Sequence, residues 1–300
     1  MVERAEKRRD VTLSYAYNGS ARLFWQEQGE GSPLLLVMGH TYSSAMWYLA
    51  VDELAKHHRV ITLDNRGTGQ SSKVRRITVE DMARDALAVM DAANIDSAHL
   101  YGVSLGGGIV LEMARQRPDR VRSLILGCTV AKTPDVARIP ALLKLLLHLP
   151  APLFARLQKR MAGPAPTPPY GTSAPADKVA RDLAVIAANV GSTTTSVAQT
   201  RAISRYSIEA DAVRALTMPA LVVHGDEDAS VAYDAGVTLH GLIAHSEMLT
   251  LPGAGHNYFV AAGEQANSAV LDFLRRVDAS NGPLQHGAVS SIAAAAPPAP

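Results

Sequence analysis

Short apolar runs alternate with segments of helical periodicity along most of the chain, and that rhythm predicts the architecture. Leu34-Leu35-Leu36-Val37-Met38, Arg59 to Leu63, Val121 to Leu126 and Ala220-Leu221-Val222-Val223-His224 are continuous or nearly continuous apolar stretches of strand length. Such runs belong to strands covered on both faces, as in a parallel sheet. Between them lie helical patterns: roughly Ala45 to Lys56, a segment from the capping pair Thr78 and Asp81 to about Ala93, and one ending at Pro118. Met82, Ala86, Val89 and Met90 line one face of the second. Upstream, Val11 to Tyr17 and Ala21 to Gln26 flank Asn18-Gly19, the signature of an antiparallel hairpin. Downstream, a helix to about Leu242, a last strand Ser246 to Leu251 and a closing helix Asn267 to Val277 complete the rhythm. The expected fold is α/β, a mostly parallel twisted sheet with helices on both faces.

The rhythm stops between 131 and 215. Ile139 to Leu149 is nearly continuous leucine, Pro164, Pro166, Pro168, Pro169 and Pro175 crowd the next stretch, and Asp177 to Val190 is helical again. This predicts a helical cap inserted into a core made of 1–130 and 216–277. The leucine run, about eleven residues broken by Lys144 and His148, is too short to span a bilayer. Leu142 and Leu146 within it are candidate walls of an apolar pocket. After Asp278 the composition turns to Ser, Gly, Ala and Pro, and 278–300 is expected to be a disordered tail.

Composition narrows the partners. Lys and Arg number 29 against 28 Asp and Glu, a formal charge of +1, which offers no broad footprint for nucleic acid or an anionic membrane. The expected partner is therefore a small molecule, with the oligomeric state open. The single cysteine, Cys128, has no internal partner for a disulfide and reads as a buried strand-end residue. Met1 to Asp10 carries both signs of charge with no apolar stretch following, so a secretory signal is not expected and a cytoplasmic location is.

The candidate chemistry centres on Gly102-Val103-Ser104-Leu105-Gly106. A strand-like segment precedes it and a buried helix pattern follows. In that context G-x-S-x-G is a nucleophile elbow: a strained turn that exposes the serine Oγ and leaves the next N–H free for an oxyanion. A serine needs a base, and the base needs a carboxylate to fix its tautomer. His256, in the glycine-flanked loop after the last strand, and the acidic trio Asp226, Glu227 and Asp228, after the strand ending at His224-Gly225, both fall at the edge where the elbow lies. The oxyanion donors would be the N–H groups of Leu105 and His40. The His40 ring is a further candidate for the pocket, and His224 reads as a support of its strand end. The remaining histidines are read as surface or satisfied core residues. Asp64-Asn65-Arg66-Gly67-Thr68-Gly69-Gln70-Ser71 resembles a phosphate loop only loosely, since it lacks the lysine of a P-loop. No metal site and no cofactor are expected.

These pieces together resemble the α/β-hydrolase superfamily over roughly Leu23 to Val277: the strand ending Met38-Gly39-His40 with Met46-Trp47, the Asp64 to Ser71 loop, the elbow, His224-Gly225-Asp226-Glu227-Asp228, and Gly253-Ala254-Gly255-His256. The family pattern His-Gly-x-x-Asp-x-x-Val selects Asp228, followed by Val231, as the acid. Met38-Gly39 replaces the family's usual His-Gly, a variant similar to enol-lactonase-like and aclacinomycin methylesterase-like members. The aspartate nucleophile of haloalkane dehalogenases and epoxide hydrolases is replaced here by Ser104. The resemblance implies a cofactor-free serine hydrolase for a carboxylic ester or lactone of small to medium apolar character. C–C bond hydrolysis, acyl transfer and a non-catalytic ligand-binding role stay open on the same fold.

Overall fold

A computed structural model describes residues 12–73, 75–131, 153 and 169–281. Leu142, Leu146 and the rest of the 139–149 run lie outside the described residues. Eight strands form one sheet: β1 Thr12–Asn18, β2 Ala21–Gln28, β3 Pro33–Val37, β4 Arg59–Leu63, β5 Ala98–Val103, β6 Val121–Gly127, β7 Ala220–Gly225 and β8 Ser246–Leu251. Their order is β1-β2-β4-β3-β5-β6-β7-β8. The first two pair antiparallel and β2 meets β4 antiparallel, while β4 to β8 are parallel throughout. The hairpin loop is Gly19-Ser20, because Asn18 still pairs with Ala21, and Gly19 supplies the positive φ of +58° that the tight turn requires.

The apolar runs work because successive side chains alternate between two cores. In β3, Leu35 and Val37 face the layer built by helices α2 Val79–Ala92 and α3 Leu105–Gln116. Leu34 and Leu36 face Trp47, Leu54, Phe273 and Leu274 on the other side. β7 repeats this, with Ala220 and Val222 on the first face and Leu221 and Val223 on the second. The α2 start carries the predicted capping box: Thr78 Oγ1 accepts from the Asp81 N–H, and Asp81 accepts from the Thr78 N–H.

Three sequence readings are corrected. The segment expected as one helix from Ala45 to Lys56 is a 3₁₀ turn, Ser44–Leu49, followed by a short helix α1, Val51–Leu54. Its start is held down by Asp64, whose Oδ1 accepts from both the N–H and the Oγ of Ser44 at 2.8 Å. Between β6 and β7 the described residues hold three helices, α4 Ala176–Asn189, α5 Thr193–Arg205 and α6 Ala210–Arg214, of which only α4 shows a clear pattern in sequence. Then come α7 Tyr233–Leu242 and the closing α8 Tyr258–Asn281, which begins nine residues before the predicted Asn267 and kinks at Ala262. Since α8 continues to Asn281, the tail boundary after 277 moves to 281, the remainder lying outside the described residues. No helix among the described residues is long and apolar enough to cross a membrane.

Asp278 is instead a structural hub. Its carboxylate accepts from His99 Nε2 at 3.0 Å and from Arg122 at 2.8 Å, and lies 3.8 Å from His58 Nε2. Burial, with His99 close by, pushes the His58 ring down to about 4, and burial lowers His99 as well. Both rings are therefore neutral in the fold at a pH where the unfolded chain, with histidines near 6.5, takes up protons. The unfolded state binds the extra proton, so stability is complete above about pH 6.5 and is lost as the pH falls towards 4. For His58 the full loss is about 3 kcal/mol. Urea midpoints at pH 7, 5.5 and 4 are expected to fall in that order, and identical midpoints would contradict the buried neutral pair.

Candidate active site

Five neighbouring strand ends, those of β3, β5, β6, β7 and β8, build the site. At the end of β5 the chain turns sharply through Ser104, whose φ of +57° and ψ of −121° are unusual for a residue with a Cβ and cost about 1–3 kcal/mol. The turn is held by the Ser104 N–H donating to Gly127 O at 2.8 Å and by Ser104 O accepting from Gly107 N and Thr129 Oγ1. The two glycines of the motif are required by close approach. A Cβ on Gly102 would come 2.2 Å from Gly106 O, and one on Gly106 would come 2.0 Å from Val37 O. Helix α3 thus starts pressed against the end of β3, which brings the Gly39-His40 loop beside the serine. A Cβ on Gly39 would lie 3.2 Å from Ser104 Cβ.

The two N–H groups predicted as oxyanion donors, of Leu105 and His40, lie on these two segments. Leu105 is the first residue of α3 and, as at any helix start, its N–H has no acceptor within the helix. In the β3 loop the Thr41 N–H is taken by Gln199 Oε1 at 2.6 Å, whereas the His40 N–H has no acceptor among the described residues. The His40 ring turns to α5, with Nε2 3.1 Å from both Ser196 O and Thr200 Oγ1, and burial lowers its pKa. Below it, Asn65 Nδ2 donates to Met38 O at 2.7 Å. The Asp64 to Ser71 loop is scaffolding: the Gln70 N–H donates to Asp64 Oδ2, and the side chain of Asp64 fills the space that a Cβ on Gly69 would need.

At the ends of β7 and β8, Asp228 Oδ2 accepts from His256 Nδ1 at 2.7 Å. With Nδ1 engaged, Nε2 is the ring nitrogen left to take up a proton. Asp228 is fully buried at its side chain, while His256 retains 16% exposure. Burial alone would raise the Asp228 pKa, but the hydrogen bonds from His224 and His256, together with the Val231 N–H, outweigh it and hold the carboxyl well below its ordinary value. Its Oδ1 accepts from the N–H groups of Ser230 at 2.7 Å and Val231 at 2.9 Å. Asp226, by contrast, accepts from the Gly253 N–H at 2.7 Å, and Glu227 from Thr172. Of the three neighbouring carboxylates, only Asp228 meets His256.

Several contacts escaped sequence reasoning. Cys128, at the end of β6 with a φ of +43°, lies with its sulfur within 4.8 Å of the ligand atoms of Asp228 and His256. Burial, then the Asp228 charge, push its thiol well up, which disfavours the thiolate that a metal would need. Buried Asp182 on α4 accepts from Tyr48 and Tyr170 hydroxyls at 2.9 Å and from Asn257 at 3.2 Å, tying α4 to the residue after His256. In the sequence it is one of two acids in its helix, with nothing to set it apart from Asp177.

Residues 32–261 match the sequence profile of a family described as alpha/beta hydrolase fold. A protein of Variovorax paradoxus that carries the name carbamate hydrolase RutD is 31% identical over 278 residues, 91% of this chain and 100% of that protein. Its namesake in Azorhizobium caulinodans is 38% identical over 115 residues, 38% of this chain and 43% of that protein. Among solved structures, a thermophilic esterase from Thermogutta terrifontis superposes with a TM-score of 0.73 at 24% identity, covering 89% of this chain and 99% of that one, a likeness of fold.

Proposed function

The chain belongs to the α/β-hydrolase fold family, and from that premise we propose that it is a serine hydrolase cleaving a carboxylic ester or lactone through an acyl-enzyme. The observations that carry this reading are the His256 Nδ1 to Asp228 bond and a serine of strained backbone at a strand-to-helix turn in the same sheet. Ser104 Oγ attacks the carbonyl carbon while His256 Nε2 takes its proton. The N–H groups of His40 and Leu105 hold the oxyanion, and the imidazolium, stabilised by Asp228, returns the proton to the leaving alcohol. Water then repeats the sequence on the acyl-enzyme. No step requires a cofactor. The helices between β6 and β7 serve in this reading as a cap over the site, the substrate being a small, largely apolar molecule.

A panel of esters and lactones of graded chain length, combined with fluorophosphonate labelling, tests the reading: turnover of at least one class and rapid labelling are expected, and neither occurring would overturn it. A carbamate is the second reading, favoured by the name of the relatives from Variovorax paradoxus and Azorhizobium caulinodans. Its carbonyl bears nitrogen but is attacked in the same way. Matched ester and carbamate substrates with one leaving group decide between them by kcat/KM.

The acylation rate is expected to rise with pH between about pH 5 and 8, because only the neutral base accepts the serine proton. Asp228, held well below its ordinary value, stays ionised across that range and adds no second step. A flat profile between pH 5 and 8 would contradict the assignment of the base.

A further inference from the structure

The arginines of this chain divide into two groups. Outside one cleft, every arginine among the described residues is matched by a carboxylate or an aromatic face: Arg59 by Glu27, Arg66 by Asp85, Arg122 by Asp278 and Arg276 by Glu247 are examples, and Arg22 and Arg181 stack on Tyr15 and Tyr48. The exceptions converge. Arg75 and Arg76, in the loop before α2, and Arg205, near the end of α5, line one cleft of about 460 Å³ together with Arg201, and none of Arg75, Arg76 and Arg205 has such a partner among the described residues. The acid in the cleft, Asp81, is already engaged by Arg84 and by the Thr78 N–H of its capping box. In a chain with a formal charge of +1, Arg75, Arg76 and Arg205 thus gather positive charge in one cleft between two elements, without a carboxylate partner among the described residues.

We propose that this cleft, formed by the loop before α2 and by α5, is a binding site for a phosphate group, outside the hydrolytic centre and independent of the reading given for it. One guanidinium satisfies a carboxylate with both of its parallel N–H donors. Several guanidinium forks converging from two elements call for an anion with more charge and more acceptor oxygens, which a phosphate dianion supplies. The site is linked to the hydrolytic centre through α5, whose earlier turns hold the Thr41 N–H through Gln199 and the His40 ring through Ser196 and Thr200. The phosphate is either free in solution or the distal end of a substrate.

Titration calorimetry of the full chain with inorganic phosphate and with pyrophosphate at low ionic strength tests this. Saturable binding at one site is expected, tighter for pyrophosphate and weakened at least about 10-fold by the double variant Arg76→Gln/Arg205→Gln or by added salt. Turnover of a neutral short ester is expected to be unchanged in that variant, and Ser104→Ala is expected to bind both anions as before. Absence of saturable binding, equal binding by the double variant, or acetate binding as tightly as phosphate would overturn the proposal. An ester with a distal phosphate, set against its uncharged hydroxyl analogue, identifies the source. A lower KM for the phosphorylated ester that the double variant abolishes assigns the phosphate to the substrate, and calorimetric binding without any KM preference assigns it to a free anion.

Discussion

Ser104→Ala is expected to abolish ester turnover and fluorophosphonate labelling while leaving the fold intact. For scale, removing the nucleophile of a serine protease costs about 10⁶ in kcat. The turn survives because it is held by backbone groups and by Thr129 Oγ1 acting on Ser104 O, none of which the substitution touches. The serine Oγ makes no hydrogen bond among the described residues, and alanine meets the same positive φ with the same Cβ. Unfolding stability is therefore expected to change by less than about 0.5 kcal/mol. A folded Ser104→Ala variant that still turns over ester at more than a trace would remove the serine from the mechanism. An inactive variant with a lowered melting temperature would leave the question to Ser104→Cys, which keeps a nucleophile on the same turn.

The second large effect distinguishes two aspartates two residues apart. Asp228→Asn is expected to lose several orders of magnitude in kcat, on the scale of about 10⁴ given by the corresponding change in a serine protease. The amide can still accept from the Ser230 and Val231 N–H groups through its oxygen, but it then presents an NH₂ to His256 Nδ1 and favours the tautomer that cannot take the serine proton. Asp226→Asn keeps the carbonyl oxygen that accepts from Gly253 N, at the exposed rim of the loop, and is expected to change kcat by no more than a few-fold. The measurement is kcat for both variants on one ester at a pH above the histidine range. Reversed losses would transfer the acid to Asp226 and contradict the hydrogen bond between Asp228 and His256.

The strands were the most legible part of this chain. Arg59–Leu63 and Ser246–Leu251 have the bounds read from the pattern; the first, buried on both faces, ends where its apolar run ends. Helices were less legible where tertiary contacts override local preference. The single helix expected at Ala45 to Lys56 starts where Asp64, from a distant loop, takes the Ser44 N–H and breaks at Ala50, whose backbone leaves the helical region, while at the start of α8 Tyr258 is buried against Tyr101, with their hydroxyls 2.7 Å apart. Neither partner is near in sequence. The helix α5, which holds the Thr41 N–H through Gln199 and Gly67 O through Thr195, shows little periodicity because it offers polar side chains to backbone groups of two core loops.

What the sequence by itself determined was the class of fold, the strand-to-helix turn at Ser104 and the polar residues that fall at strand ends: alternation, glycine spacing and the position of polar residues are local properties that survive without coordinates. Which of Asp226, Glu227 and Asp228 meets His256, that Cys128 lies within 4.8 Å of the same carboxylate, and that three arginines without a carboxylate or aromatic partner among the described residues share a cleft were decided only by the tertiary structure. The physical reason is range. A hydrogen bond or an ion pair forms within a few ångströms, and the loops that bring Asp228 to His256, or Arg76 to Arg205, are positioned by the packing of a sheet whose strands come from the whole length of the chain.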